Sequence, residues 1–240
     1  MSTMYMEKQF YIHQMDCDQY DRIKPSAVLG IMGDIAGLHA DHIGVGFQQT
    51  FEHGLYWVIL YEEFEILNNN NMKPTDDVKV STWPTYKDPR RLEYEREVVF
   101  ENSKGETLII ARSNWVVIDT VNRNISRETM EFNGEYLDKT NYSSKAKRKL
   151  NLKLGDVLKT YQHKVLKSDL DHNRHMNNCK YLDIVLNMSD DMVVRKCEVA
   201  FIKEARLDDL IEVKYFKNND EHCYIGYVDG SLCFECIIKE

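Results

Sequence analysis

The stretch Pro25-Ser26-Ala27-Val28-Leu29-Gly30-Ile31-Met32-Gly33-Asp34-Ile35-Ala36-Gly37-Leu38 carries apolar residues at Val28, Leu29, Ile31, Met32, Ile35, Ala36 and Leu38, the spacing of one helix face. Pro25 and Ser26 supply start signals and Gly44 a stop, which predicts a long helix over 26–44. The pattern then changes to strands. Tyr56-Trp57-Val58-Ile59-Leu60-Tyr61, running on towards Ile66, is followed by strand-like segments at 78–83, 92–100 and 107–118. The asparagine run at 68–71, with Lys73-Pro74-Thr75-Asp76-Asp77, reads as a loop, and Ser103-Lys104-Gly105 as a turn.

The second half repeats this order in shorter form. Residues 178–187, with apolar Cys179, Leu182, Val185 and Leu186, predict a short helix. Strands follow at 197–202 and 210–216, with a turn at 205–209 between them, and a hairpin joins 223–228 to 232–238 through Asp229-Gly230. Two landmarks set the correspondence: Asp76-Asp77 against Asp208-Asp209, and the Gly105 turn against the Gly230 turn. A helix beside an antiparallel meander, twice over, is an α+β arrangement in which each sheet curls around its own helix. Residues 133–153, polar with the basic core Lys145-Ala146-Lys147-Arg148-Lys149, read as a solvated and partly helical connection.

Composition narrows the function class. Hydrophobic content of 43% with 4 prolines and 11 glycines excludes a disordered or collagenous chain. The net charge of -8 argues against general binding to nucleic acid or an anionic membrane. No apolar run approaches the roughly 18 residues that span a bilayer, and the start has no secretory pattern, so a cytoplasmic location is expected. The 6 cysteines are too sparse for a disulfide scaffold. Cys233 and Cys236, three apart on a strand, are expected on opposite faces and in core packing. His39 and His42, around Asp41 at the helix end, lack a convergent third ligand, so no metal is expected; an imidazolium suits a helix C-terminus.

The chemistry concentrates in Leu170-Asp171-His172-Asn173-Arg174-His175-Met176-Asn177-Asn178. In an extended conformation Asp171, Asn173, His175 and Asn177 share one face, putting an acid, an amide and an imidazole in a row. Asn177 or Asn178 is a good N-cap, so the first amides of the following helix are expected to hold a developing oxyanion there. The other reading is a helix cap with polar neighbours in a solvated loop.

This segment resembles the active-site signature of the acyl-acyl-carrier-protein thioesterases, a family built as two tandem hotdog domains. The first half is similar to that family as well, in Ala36-Gly37-Leu38-His39-Ala40-Asp41-His42-Ile43-Gly44, Gly54-Leu55-Tyr56-Trp57-Val58, Val80-Ser81-Thr82-Trp83-Pro84, Gly105-Glu106-Thr107-Leu108 and Ser113-Asn114-Trp115-Val116-Val117-Ile118-Asp119. The resemblance implies an N-terminal hotdog domain over 1–132 that holds the acyl chain and is catalytically silent, a linker over 133–153, and a catalytic C-terminal hotdog domain over 154–240. It also implies that Asp171, Asn173 and His175 are catalytic. Glu204, in Lys203-Glu204-Ala205, matches the family's catalytic Glu, while Ala205 replaces a Cys and rules out a Cys nucleophile at that place. Asp183 and Ile184 stand where the family often has a Trp.

The implied activity is hydrolysis of a fatty acyl-acyl-carrier-protein thioester, without a cofactor. A thiolate leaves readily, so the demands are activating water and stabilising the oxyanion. Glu204 is assigned as general base, with His175 and Asn173 positioning water or thioester and Asp171 orienting them; a nucleophilic Glu204 is a second option. The implied partner is acyl carrier protein with a phosphopantetheine-linked chain, and a homodimer is left open. Because such carriers are acidic, Lys145, Lys147, Arg148, Lys149, Arg195 and Lys196 are candidate docking residues. An acyl-CoA thioesterase of hotdog fold and a non-catalytic acyl-binding protein are the alternatives, and a hotdog dehydratase fits the motif order less well.

Overall fold

The computed structural model describes residues 4–67, 72–85, 92–128, 130, 132–152, 154–189 and 191–240, so the loop expected over 68–71 lies outside the described residues. The first half comprises β1 (Met6–Tyr11), a 3-10 turn (Gln14–Asp16), α1 (Pro25–His42), α2 (Phe47–Glu52), β2 (Leu55–Ile66), β3 (Asp77–Pro84), β4 (Tyr94–Glu101) and β5 (Thr107–Asp119). The second comprises β6 (Lys159–Lys164), a 3-10 turn (Lys167–Asp169), α3 (Asn178–Met188), β7 (Lys196–Phe201), β8 (Leu210–Asn218), β9 (Glu221–Val228) and β10 (Ser231–Lys239).

The ten strands of the described residues join one antiparallel sheet in the order β1-β3-β4-β5-β2-β7-β10-β9-β8-β6. Read inward from either end, each half places its strands in the same order. The duplication read from the sequence is therefore a structural one, and each half is an antiparallel sheet against its own helix, long in the first half and short in the second, the α+β hotdog arrangement. The halves meet edge to edge where β2 pairs with β7, from Tyr61↔Ala200 to Glu65↔Lys196. α1 and α3 also pack on each other. One core results, in which Val28 and Ile35 of α1 and Leu182 and Val185 of α3 lie with Phe64, Val98, Val199 and Phe234 of the sheet. Burying each such side chain contributes about 1.5–3 kcal/mol.

β1 and β6 were not legible in the sequence. They are the two sheet edges, exposed along most of their length, and polar residues such as Lys8, Gln9, Lys159 and Lys164 replace apolar alternation there. Charged edges discourage pairing with other chains. The acidic landmark shifts by one residue: Thr75 and Asp208, both at positive φ (80° and 70°), bond through their amides to Ile12 O and Val165 O, so Asp76 corresponds to Asp209. Cys233 sits at a bulge in β10, which breaks the alternation and puts Cys233 and Cys236 in the same core rather than on opposite faces.

The connection between β5 and β6 also differs from expectation. Its described residues form no helix or strand, and it is not simply solvated. It straps the sheet's outer face, burying Ala146 and Leu150 against Tyr61 and Ala200. That face carries Glu63, Glu93, Glu97, Glu198 and Glu235, each less than 10% exposed, and buried carboxylates need partners. Arg112 of β5 pairs with Glu63, and the strap supplies partners for the others: Asn141 donates to Glu97 from its backbone amide (2.8 Å) and side chain (2.9 Å), and Leu150 N donates to Glu235 (2.8 Å). Lys147 pairs with Glu198 and Arg148 with Glu93. Lys196 lies 3.6 Å from Glu63 and from Glu198. Of the six expected carrier-docking cations, Lys147 and Arg148 thus hold the strap to the sheet, while Lys196 pairs within the sheet itself.

Candidate active site

The segment before α3 is a tight loop, not the extended row expected. An antiparallel bridge Leu170↔Met176 closes it, Asp171 N donates to His175 O (2.8 Å), and Arg174 takes φ 64°. The Asp171 carboxylate turns inward, where Oδ1 accepts from Asn173 N (2.8 Å) and His175 N (3.2 Å). Asn177 is the N-cap of α3, its side chain accepting from Cys179 N at 2.9 Å. The amides of Met176, Asn177 and Lys180 are engaged too, by Ala205 O, Asp169 O and Asn177 O. Of the first amides of α3, those of Cys179 and Lys180 are therefore committed to the fold, which narrows the oxyanion role expected for them.

Glu204 reaches this loop because the chain after β7 runs alongside it. Met176 N donates to Ala205 O (2.8 Å), His175 bridges Arg206, and Ala205 N donates to Tyr181 OH (3.2 Å). Ala205 is fully buried, which suits a small residue. Glu204 Oε2 lies 3.1 Å from His175 Nε2, forms an ion pair with Arg123, and stands 4.0 Å from Arg206. Burial pushes the His175 pKa below its ordinary value; Glu204 opposes this, Arg123 and Arg206 add to it, and Asp171 opposes it. His175 is therefore a neutral imidazole at pH 7. Arg123 carried no sequence signal: it sits in the turn after β5 at φ 57°, and its guanidinium lies 5.8 Å from the Tyr56 ring.

Asp171, Asn173, His175 and Glu204 line one cavity of about 710 Å³ together with Gly33, Gly37, Trp57, Tyr94 and Trp115 of the first half. All four site residues named from the sequence thus meet, with Asp171 acting through the loop backbone. His39, at the far end of α1, is fully buried, and its Nδ1 accepts from Arg96 Nη1 at 2.7 Å. Burial first, then the positive charges of Arg96 and His42, hold its pKa down to about 3. It is therefore not the imidazolium expected at a helix end. Among the described residues no group of three His, Cys, Asp or Glu side chains could hold a metal.

A duplicated helix-on-sheet chain whose cavity brings an Asp-Asn-His loop against an opposing Glu defines a double-hotdog protein. Family models described as acyl-ACP thioesterase N-terminal domain and C-terminal domain match residues 3–136 and 153–231, and the chain belongs to the acyl-ACP thioesterase family. It is 31% identical over 162 residues to a chloroplastic palmitoyl-acyl carrier protein thioesterase of Arabidopsis thaliana, a match covering 63% of this chain and 37% of that relative. The match thus spans less than half the length of the plant relative. Among solved structures, an acyl-ACP thioesterase from Bacteroides thetaiotaomicron superposes with a TM-score of 0.85 at 18% identity, covering 98% of this chain and 97% of that one. The 12:0-ACP thioesterase from Umbellularia californica does so at 0.82 and 20%, covering 98% and 96%. At these identities the superpositions establish the fold.

Proposed function

We propose that this chain hydrolyses the thioester of a fatty acyl-acyl carrier protein and releases a free fatty acid. The observation that carries this reading is the cavity that joins the His175–Glu204 pair to the apolar wall of the first half. Family membership supports the reaction and the carrier. Three contacts converge on Glu204 Oε2, from His175, Arg123 and Arg206, which leaves Oε1 to act on water. In the proposed step Oε1 takes a proton from water as its oxygen attacks the thioester carbonyl. The C–S bond then breaks, and the departing thiolate takes the proton back from Glu204. His175 and the Asn173 amide orient water and thioester, and Asp171 fixes the loop that carries them. The first half is the silent, acyl-holding domain. One chain supplies both walls of the cavity, so the reading requires no second copy. A cytoplasmic location belongs to the proposal, and the six free thiols support a reducing compartment; cell fractionation tests it.

The deciding experiment is thiol release from acyl-carrier-protein and acyl-CoA thioesters of one chain length, for wild type and His175→Ala. Turnover of the carrier thioester that His175→Ala abolishes supports the reading. Preference for CoA moves it to an acyl-CoA thioesterase, and stoichiometric binding without turnover to an acyl-binding protein.

A further inference from the structure

Three polar side chains stand in one row across the inner face of the first half-sheet, beneath α1. Glu62 on β2 is paired with Ser113 on β5, and Ser113 with Arg96 on β4. Two interstrand spacings separate the outer members, about 10 Å along the row. The rows on either side are apolar: Phe64, Ala111 and Val98 on one, Ile59, Trp115 and Tyr94 on the other. Glu62 and Arg96 both line the cavity.

Neither has the partner that its burial calls for. Arg96 is 8% exposed, and among the described residues its guanidinium donates to neutral groups, His39 Nδ1 at 2.7 Å and Thr82 Oγ1 at 3.1 Å. Among the described residues it forms no ion pair with a carboxylate. Glu62 is 1% exposed, and among the described residues neither of its oxygens has a hydrogen-bond partner. Polar groups buried in this way destabilise a fold, and an apolar residue at either place would continue the rows beside it. A saturated acyl chain gains nothing from them.

We propose that the cavity accepts an acyl chain bearing a neutral oxygen substituent, a hydroxy- or oxoacyl thioester, with that oxygen seated in the Glu62–Ser113–Arg96 row. The proposal rests on the thioesterase reading for the identity of the cavity's ligand. Arg96 donates an N–H to the oxygen. Burial raises the Glu62 pKa to about 8, so as a neutral acid it can donate to a carbonyl or accept from a hydroxyl. Its oxygens are covered by neighbouring groups, and a rotation of its side chain towards the cavity brings them to the ligand. The facing wall leaves room, because α1 presents Gly30, Gly33 and Gly37 there.

The test compares kcat/KM for saturated, hydroxyacyl and oxoacyl carrier thioesters of one chain length, with the oxygen moved carbon by carbon. Wild type, Glu62→Leu and Arg96→Met are assayed, with Arg96→Lys in reserve should the methionine variant fail to fold. The expected result is that, at one or two adjacent positions, wild type favours the oxygenated chain by about tenfold, the effect of one well-placed hydrogen bond. The variants bring that ratio close to one. A preference for the saturated chain at every position, or a ratio that Glu62→Leu leaves unchanged, overturns the proposal. If no thioester is cleaved, the thioesterase reading has failed instead. Calorimetric titration of free hydroxy and unsubstituted fatty acids then decides: tighter binding of the hydroxy acid by wild type but not by Glu62→Leu sustains the proposal, and equal binding, as expected if only water meets these groups, overturns it.

Discussion

The loops at 16–24 and 169–177 have the same backbone and different side chains. In the first, Asp18 N donates to Arg22 O (2.8 Å), and Asp18 Oδ1 accepts from Tyr20 N (2.8 Å) and Arg22 N (3.0 Å). In the second, Asp171 makes the same three contacts with His175 and Asn173. Asp21 and Arg174 supply the matching positive φ, and Lys24 N and Asn177 N both bond to an aspartate carbonyl. Tyr20 thus stands where Asn173 does, and Arg22 where His175 does. Arg22 turns back on Asp18 at 2.7 Å, whereas His175 reaches out to Glu204. The aspartate common to both loops holds their backbone; what differs is the amide and imidazole of the second, and the Glu204 that its imidazole reaches.

The largest effects should come from what the first loop lacks. Glu204→Gln and His175→Ala are each expected to lower kcat/KM for carrier thioester by about 10²–10⁴-fold while the protein stays folded. Full activity in either variant would remove that residue from the reaction. The shared aspartates give a smaller and sharper contrast. Asp171→Ala and Asp18→Ala each leave two loop amides without their acceptor, which is expected to cost about 1–3 kcal/mol in denaturant unfolding. Only Asp171→Ala should also slow turnover. Both amides bond to Oδ1, so an asparagine oxygen can replace it, and Asp171→Asn is expected to keep activity within about tenfold of wild type. If Asp171→Asn were as inactive as Glu204→Gln, the charge of Asp171 would take part in the chemistry.

The two halves also divide the response to pH. Turnover should follow the second half, rising with pH as His175 loses its proton at a midpoint below 6.5. The two largest shifts that link stability to pH near neutrality lie in the first half, and the lowered His175 adds to the acid side. His39 titrates near 3 when folded and near 6.5 when unfolded, so between those values the unfolded chain binds more protons and stability falls as pH falls. Glu62 titrates near 8 when folded and near 4.5 when unfolded, so across that window the folded chain holds the extra proton and stability falls as pH rises. Each slope is about 1.4 kcal/mol per pH unit. These two slopes oppose each other between 4.5 and 6.5, so the His39 contribution shows most clearly below that window and the Glu62 contribution above it. Denaturant unfolding across pH checks this: His39→Gln should flatten the acid side and Glu62→Gln the alkaline side.

Much of this was legible because helices and inner strands repeat their apolar pattern. α1 and α3 begin and end within two residues of the predicted limits. The edge strands β1 and β6 were hidden because solvent, not a core, faces most of their side chains. Asp171, Asn173, His175 and Glu204 were found through the order of residue types, but their geometry was not. An alternating strand would have put three side chains in a row, whereas positive φ at Arg174 and the inward Asp171 carboxylate make a loop. Arg123 was invisible, since a lone arginine in a turn becomes meaningful only when the fold brings it to Glu204. Lys147 and Arg148 read as part of a solvated, basic connection because Glu198 and Glu93, which hold them, lie far off in sequence.

The smallest expected effect concerns the helices themselves. α1 contains Gly30, Gly33 and Gly37, all on the cavity, and α3 contains no glycine. A glycine inside a helix costs about 1 kcal/mol relative to alanine. Nothing in the fold requires it at Gly33 or Gly37, where a Cβ would meet no atom within 4 Å, and neither residue has positive φ. The space that the missing methyl groups leave belongs to the cavity, so the first half gives up helix stability to keep that wall flat. Gly33→Ala and Gly37→Ala are each expected to stabilise the chain by about 1 kcal/mol, a rise in Tm of about 2–4 °C. They should also lower kcat/KM for long acyl chains more than for short ones. A rise in Tm with unchanged chain-length selection would show that the acyl chain does not run along α1, and would make the two helices equivalent after all.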